Sequence, residues 1–376
     1  MANMYQSAAN ITEQVMTEEL AEKSCPAVSS VINVARAANR YRHRLRPKHP
    51  SNLDFELQTE HVPDGFLQAD IKIDGHRHLI FATDYMLQLL QRADTWYMDG
   101  TFKVVRSPFI QLFSIHAFVR TREVIKQIPL CFVLMSAKRK KDYKAVFNII
   151  REKMFERPIV EDVVTDFEKS VWKAVEKCMP RVRHRGCVFH WTQAVWRRMQ
   201  EVSGLRAQYR QYGDVYRALR LIFALPFLPP ENISSAFSSM RTNLEELGFS
   251  ELTDYIHKAW ITSKRWSPRT WSIFNQSIRT NNDVEGWHNR LNRKAKTTPL
   301  NLYMLIQLLY NEAKMVVVNI RLISDKKIRS TQRKKVKTNA ARIQRYWKEF
   351  SCGKRTVREL LLGCSHIYAP RLKEKE

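Results

Sequence analysis

The order of apolar segments between Thr95 and His190 constrains the fold of this chain most strongly. Three consecutive runs are rich in β-branched and aromatic residues and short enough for strands, whereas Asp142 opens a segment with helical spacing. A fourth strand-like run, a second helical segment and a fifth run follow. This order predicts an α/β fold with a mixed sheet. The five predicted strands are TWYMDGTF (95–102), IQLFSIHAFV (110–119), IPLCFVLMSA (128–137), IVEDVVTD (159–166) and RHRGCVFHW (183–191).

After Trp191 the apolar residues recur only at helical spacing, which predicts a large all-helical insertion in the α/β unit. Two further helices are expected, one with Val284, Trp287 and Leu291 on its apolar face and one over 300–320. The predicted division is an N-terminal region (1–84, partly disordered, then helical), the first part of the core (85–195), the helical insertion (196–278), the last part of the core (279–320) and a basic C-terminal tail (321–376).

The chain is strongly basic, with 63 Lys and Arg against 37 Asp and Glu and a formal net charge of +26. Beyond residue 320 there are 17 Lys or Arg and 5 Asp or Glu. Such an excess repels itself, and binding to a polyanion such as DNA compensates for that cost. A basic surface that serves solubility alone is the alternative.

Several common classes of protein do not fit the sequence. The six cysteines are scattered without the dense, even spacing of a secreted disulfide framework, and no pair of them forms the CxxC of an ordinary zinc finger. The first residues lack the pattern of a secretory signal, and no apolar stretch is long enough to span a membrane. We therefore expect an intracellular, reducing compartment and no membrane partner.

Two aspartates lie in apolar, strand-like segments of this basic protein, where acidic residues are uncommon. Asp99 lies inside one strand-like run and Asp166 ends another. A buried carboxylate is costly unless it binds a cation or a hydrogen-bond donor, and a mixed sheet can bring the two together at one edge. Oxygen ligands favour Mg²⁺ or Mn²⁺. Alternatively, Asp99 belongs to an Asp-Gly turn and Asp166 caps the helix that follows.

Glu285 is the third acidic candidate. It lies at the border of the apolar face of its helix, in line with His288 and Asn292, so it can point towards a metal site. The alternative is an ordinary first-turn Glu that answers the helix dipole. Arg290, Arg293, Lys294 and Lys296 follow on the same helix and suit a passing phosphate chain.

The segments DTWYMDGTF, VVTDFEKS, GCVFHW and NNDVEGWHNRLN, in this order, resemble the Mutator-like element (MULE) transposases. The resemblance implies an RNase H-like mixed five-stranded sheet flanked by helices and interrupted by the helical insertion. It further implies that Asp99, Asp166 and Glu285 are a DDE triad that holds two Mg²⁺ or Mn²⁺ ions. The implied activity is DNA transposition, with strand cleavage at element ends followed by strand transfer to target DNA.

The family's Cys-x-x-His element matches Cys187 and His190. By this resemblance His190 is a candidate site residue that contacts DNA or supports the triad. A buried Cys and a structural His are an open alternative, and we expect no zinc there. Trp287 and His288 raise the same question, because an aromatic residue near cleaved DNA can stack on a base or simply belong to the core.

The chain also departs from the family, since no Cys and His set for an N-terminal zinc-binding domain precedes residue 85. Recognition of element ends would then come from a separate subunit, from the helical parts and basic tail, or be lost in a domesticated copy. A domesticated, non-catalytic DNA-binding protein is therefore the main alternative, and a simple nuclease is a third. Synapsis of two DNA ends suggests a homodimer or higher oligomer, and the enzyme class suggests the nucleus.

Overall fold

The fold was obtained as a computed structural model that describes residues 31–120, 125–276, 282–295, 298–324 and 334–368. Within them, seven strands form one mixed sheet in the order β1-β2-β5-β4-β3-β6-β7. The pairs β3–β6 and β6–β7 are parallel and the others antiparallel. The strands are β1 (Leu67–Ile73), β2 (His76–Phe81), β3 (Thr95–Thr101), β4 (Gln111–Arg120), β5 (Ile125–Met135), β6 (Asp162–Thr165) and β7 (Arg183–Gly186).

This architecture confirms the predicted mixed α/β class and is compatible with an RNase H-like fold that carries a helical insertion. The predicted five strands correspond to β3 to β7, but the strand count was too low. An N-terminal hairpin, β1–β2, extends the sheet because β2 pairs with β5, with His78 opposite Met135. Leu79, Ile80 and Phe81 of β2 are fully buried, so the hairpin belongs to the same core.

The fifth strand is shorter than the sequence predicted. It ends at Gly186, and the apolar run that follows begins a helix instead. Val188, Trp191, Val195 and Met199 recur every three or four residues and are all buried, which stabilises a helix better than an edge strand. Cys187 and His190 therefore lie at the start of this helix.

The helices of the α/β unit lie before, between and after the strands. The predicted helices after Asp142 and Ser170 are present, and so are the two predicted near residues 284 and 300. They are α1 (Val31–Leu45), α2 (Asp84–Gln91), α3 (Lys140–Glu152), α4 (Lys169–Cys178), α5 (Val188–Glu201) and, beyond the insertion, α11 (Asn282–Lys294) and α12 (Leu302–Ser324). The first 30 residues, with their predicted disorder, lie outside the described residues.

The segment between α5 and α11 is helical, as the spacing predicts. It consists of α6 (Leu205–Arg210), α7 (Asp214–Ala224), α8 (Pro230–Glu246), α9 (Ser250–Ile256), a π-helical turn (His257–Ile261) and α10 (Pro268–Trp271). These helices share a second hydrophobic core, separate from that of the sheet.

The C-terminal residues join that second core. They form α13 (Lys334–Ser351) and α14 (Val357–Ser365). Ile343, Trp347 and Leu360 are buried in the core of the insertion, and the Trp347 indole N–H donates a hydrogen bond to the carbonyl of Phe227 at 2.9 Å. The basic segment thus contains folded helices that pack on the insertion.

Candidate active site

Parallel pairing of β3 and β6 brings the two aspartates to neighbouring positions. Tyr97 pairs with Val164, and Asp99 and Asp166 each lie two residues further along. Asp99 is buried, with 6% of its surface exposed, and its Oδ1 accepts a hydrogen bond from the Gly100 N–H at 2.8 Å. Both acids therefore lie beyond the same end of the paired segment, and the charge of Asp166 acts on the carboxyl group of Asp99.

Glu285 and His190 lie near Asp99, and each belongs to the first turn of a helix. His190 is in the first turn of α5 and Glu285 is in the first turn of α11. His190 Nε2 lies 3.9 Å from Oδ1 of Asp99 and 3.7 Å from Oε1 of Glu285. Asp99, His190 and Glu285 each offer one donor atom, and these atoms lie within 4.8 Å of one another. Asp166 is outside this group of three and directly follows the adjacent strand, β6.

The electrostatics of the site favour protonated carboxyl groups as long as no cation is bound. Burial, and then the charges of Asp166 and Glu285, raise the pKa of Asp99 well above its usual range. Burial and the neighbouring Glu168 raise the pKa of Asp166 to about 6. Burial raises the pKa of Glu285 to about 7, although Arg197 opposes the shift. A bound cation would lower all three pKa values and so favour the ionised carboxylates together.

The imidazole of His190 is neutral in this setting. Burial, with a smaller effect from Arg197, lowers its pKa to about 4. Its Nδ1 is buried and has no hydrogen-bond partner, whereas its Nε2 faces the two carboxylates. A neutral imidazole can serve as a metal ligand or as a hydrogen-bond donor.

A buried polar cluster lies behind Asp99. Nδ1 of His288 lies 3.6 Å from Oδ2 of Asp99, and its Nε2 lies 3.3 Å from the hydroxyl of Ser114. Ser114 Oγ also lies 2.9 Å from Nε2 of His116, and Ser114 pairs with Asp99 in the sheet. Sequence reasoning missed Ser114 and His116. The sequence feature that could have identified them is a pair of polar residues, separated by a single residue, on one face of an otherwise apolar strand.

Trp287 belongs to the core. It is 3% exposed, and its ring stacks on Phe132 with centroids 5.6 Å apart. Its indole N–H donates to Oε2 of Glu312 at 2.8 Å. Of the two interpretations of Trp287, the structure supports the core residue, because no face of the ring is open to a base.

Glu312 holds the Glu285-bearing helix in place. This carboxylate on α12 is 2% exposed, and Arg290 and Lys294 of α11 form ion pairs with it. Burial acts to raise its pKa, but the hydrogen bonds from Lys294 and Arg290 outweigh this effect, so the pKa is lowered. Of the four basic residues expected to meet phosphate, these two are engaged in the fold and Arg293 is exposed. Lys296 lies outside the described residues.

Among the described residues, Cys187 does not belong to the group with metal-binding spacing. It is buried at the N-cap of α5. Cys178 lies on α4, where its thiol lies 3.9 Å from the carbonyl of Lys144. In the part of the chain that the structure describes, the only group of His, Cys, Asp and Glu found with metal-binding spacing is that of Asp99, His190 and Glu285.

Gly186 and Phe167 fit against each other beside Asp166. A Cβ at position 186 would lie 2.2 Å from Cε1 of Phe167, which no side chain tolerates. The carbonyl of Asp166 accepts hydrogen bonds from the Trp172 indole N–H at 2.7 Å and from the Thr165 hydroxyl at 2.8 Å. The backbone that carries Asp166 is therefore fixed on several sides.

A family model for the MULE transposase domain matches residues 95–194. The chain carries a MULE transposase domain. The predicted relationship is thereby confirmed, and with it a transposase-related function. No curated protein sequence matches the chain.

The MULE domain, as matched, begins with β3 and ends within α5. It contains Asp99, Asp166 and His190, whereas Glu285 follows the helical insertion and lies outside the matched segment. The site therefore combines residues of the MULE domain with one acidic residue from a later helix. Among the described residues, every helix is too short or too polar to cross a lipid bilayer.

Proposed function

We propose that this protein is a DDE-type DNA transposase, which cleaves strands at element ends and transfers them to target DNA with the help of divalent metal ions. One observation carries the proposal. Donor atoms of Asp99, Glu285 and His190 lie within 4.8 Å of one another, Asp166 directly follows the strand beside that of Asp99, and Asp99, Asp166 and His190 belong to the matched MULE transposase domain. Asp99, Asp166 and Glu285 are the proposed catalytic triad, and His190 is a further proposed catalytic residue.

The residues present fit a divalent cation. The site holds one buried acid, Asp99, and two partly buried acids, Asp166 and Glu285, and the pKa values of all three are raised, so a bound cation would stabilise their ionised forms. Carboxylate oxygens favour Mg²⁺ or Mn²⁺, and two ions would be held by Asp99, Asp166 and Glu285. When bound, these ions polarise the phosphate and neutralise charge on the entering and leaving oxygens.

The protein's own contribution is to place the donors. The Gly100 N–H and the His288 ring flank the carboxylate of Asp99, and the charge of Asp166 acts on the same carboxyl group. His190 lies between Asp99 and Glu285, where it can orient a DNA oxygen by a hydrogen bond. Water is the nucleophile for cleavage, and a DNA 3′-hydroxyl is the nucleophile for joining. In-line transfer between fixed groups needs no covalent intermediate with the protein.

DNA is the partner that this function requires. The net charge of +26 favours binding of two DNA segments through their phosphates. Pairing of two element ends suggests a homodimer or higher oligomer in the nucleus, and a separate subunit is proposed to read the element ends. A domesticated, non-catalytic DNA-binding protein is the alternative, which the same experiment distinguishes.

The test uses the full chain, Mg²⁺ and labelled DNA that carries terminal inverted repeats of an element. The wild type should give nicks and strand-transfer products. Asp99→Asn, Asp166→Asn and Glu285→Gln should abolish both products while DNA binding persists. Asp162→Asn is the matched control. Asp162 lies on β6, the strand that ends just before Asp166, but its carboxylate forms ion pairs with Arg183 and Arg185.

Each alternative has its own outcome. Binding without any cleavage by the wild type would indicate a domesticated DNA-binding protein. Preferred cleavage of RNA–DNA hybrids without joined products would indicate a nuclease. If the triad variants cut as fast as the wild type, the assigned site is wrong.

A further inference from the structure

An exposed aromatic residue follows the strand that carries Asp99. Phe102 comes directly after β3, and 53% of its surface is exposed. Its carbonyl accepts a hydrogen bond from the Val105 N–H at 3.1 Å, and the carbonyl of Val104 in the same turn accepts one from the Leu300 N–H at 3.2 Å. The backbone under the ring is therefore held in place, so a ligand would not have to order it.

A lysine lies over this ring. Nζ of Lys138 is 5.2 Å from the centroid of Phe102, within the range of a cation–π contact. The same ammonium lies 2.9 Å from Oε2 of Glu168, two residues beyond Asp166. The Lys138 charge also acts to lower the pKa of Asp166, which places the lysine beside the acidic edge of the sheet.

The pair has the two chemical properties that an unpaired nucleotide needs. An aromatic ring stacks on any base, because every base has a π-face, and an ammonium group binds the adjacent phosphate. Lys138 has three N–H donors, so it can keep its bond to Glu168 while it contacts a phosphate. Trp287, the aromatic residue that the sequence offered for this task, is buried and cannot stack on DNA.

We propose that Phe102 and Lys138 form a subsite for one unpaired nucleotide at a DNA end, with the base stacked on the Phe102 ring and its phosphate bound by Lys138. The proposal rests on the proposed function, since it assumes that a DNA end reaches Asp166. It adds the way in which an end is distinguished from the interior of a duplex. An unpaired base can reach the ring, whereas a base inside intact duplex is stacked between its neighbours.

The test compares two probes that bind the full chain without divalent cations. One is a short fluorescein-labelled duplex with a single-stranded 3′ overhang, and the other is the same duplex with blunt ends. Anisotropy titrations should show tighter binding of the overhang probe by about tenfold, the effect of stacking one base. Phe102→Leu should remove this preference and Phe102→Trp should keep it. Lys138→Gln should reduce the salt dependence of binding by about one phosphate contact.

A matched control and a direct contact measurement complete the test. Phe155→Leu changes another exposed phenylalanine, 62% exposed and following α3, and should leave the overhang preference intact. A 5-iodouracil in the overhang should photocrosslink to the peptide that contains Phe102. Equal binding of both probes by the wild type, or an overhang preference that survives in Phe102→Leu, would overturn the proposal. These results do not depend on cleavage, so the subsite and the transposase activity can fail separately.

Discussion

Asp99 and Glu312 are both buried carboxylates, yet their surroundings have opposite charge. Glu312 receives ion pairs from Arg290 and Lys294 and a hydrogen bond from Trp287, which together lower its pKa. Asp99 has two further acidic residues and the neutral ring of His190 nearby, and its pKa is raised. In a chain with 63 Lys and Arg, a buried acid without such a partner is the exception.

The contrast separates acids that hold the fold together from acids that are prepared for a ligand. Asp142 belongs with Glu312, because it is fully buried and paired with Arg139. A paired acid stabilises the folded state, whereas an unpaired one costs stability until something binds to it. Activity and stability should therefore respond in opposite ways at the two kinds of position.

The largest expected effect is on cleavage at the unpaired acid. Asp99→Asn should reduce the single-turnover rate of DNA cleavage by about a thousandfold or more, because the loss of a proposed metal-binding carboxylate would remove several kcal/mol of transition-state stabilisation. The thermal midpoint, measured without divalent cations, should stay the same or rise because repulsion with Asp166 and Glu285 is removed. If the Asp99→Asn variant were active but less stable than the wild type, Asp99 would stabilise the fold as Glu312 does, and the distinction between the two acids would be wrong.

The next effect is on stability at the paired acid. Glu312→Gln should lower the free energy of unfolding by about 2–3 kcal/mol, since the charge-assisted hydrogen bonds to α11 are weakened. Urea denaturation measures the change. Glu251→Gln is the control, because this acid is 71% exposed and its ion pair with Arg198 should contribute about 1 kcal/mol or less. Equal effects of the two substitutions would show that burial of Glu312 is unimportant.

A smaller effect concerns pH. The folded-state pKa values of Glu285 and Asp166 are about 7 and about 6, above their usual values near 4. Stability from a raised pKa is present below the unfolded-state pKa and is lost as pH rises through the folded-state pKa. Without divalent cations, the thermal midpoint of the wild type should therefore fall relative to Glu285→Gln between about pH 4 and about pH 7.

Addition of Mg²⁺ gives this pH prediction a second test. A cation favours the deprotonated carboxylates, so saturating Mg²⁺ should narrow the gap between wild type and Glu285→Gln at neutral pH. A gap that is independent of both pH and Mg²⁺ would argue that Glu285 does not titrate as part of this cluster.

The smallest effect is expected at one of the cations around Glu312. Lys294→Met should lower the free energy of unfolding by about 1 kcal/mol, less than Glu312→Gln, because Arg290 and Trp287 still bind the carboxylate. Lys294 is 43% exposed, so the neutral side chain leaves little buried polarity behind. The same urea denaturation measures this change. If Lys294→Met lowered the free energy of unfolding more than Glu312→Gln does, Lys294 would have to stabilise the fold mainly through contacts other than that with Glu312.

Local patterns in the sequence predicted much of the fold. The strands that became β3 to β6 and the helix around Trp287 have clear periodicity, and the structure contains them. The fifth strand was predicted too long because a short apolar run such as Cys187–Trp191 fits a strand or a helix equally well. Strand β1 and its hairpin with β2 were not predicted, although the turn between them is the dipeptide Asp74-Gly75. The pairing of β2 with β5 joins residues far apart in sequence, so no local pattern could show it.

The acidic candidates could be selected from the sequence because Asp and Glu are uncommon in apolar strands and beside the apolar face of a helix. Their role as a triad stays a prediction, although three of the four site residues have donor atoms close together. Glu312 had a usable signal, as an acid among the buried Leu305, Leu309 and Val316 of α12. Its partners belong to another helix, so periodicity alone could not identify them.

The contact between Gly186 and Phe167 has a consequence for variation in this chain. Even the methyl group of alanine at position 186 would displace the ring of Phe167. Because Phe167 directly follows Asp166 in the chain, this displacement would also move the backbone of Asp166. The same ring packs against Trp260, with centroids 4.6 Å apart, in the helical insertion. A single added carbon would therefore disturb both a proposed metal-binding acid and the seam between the two cores.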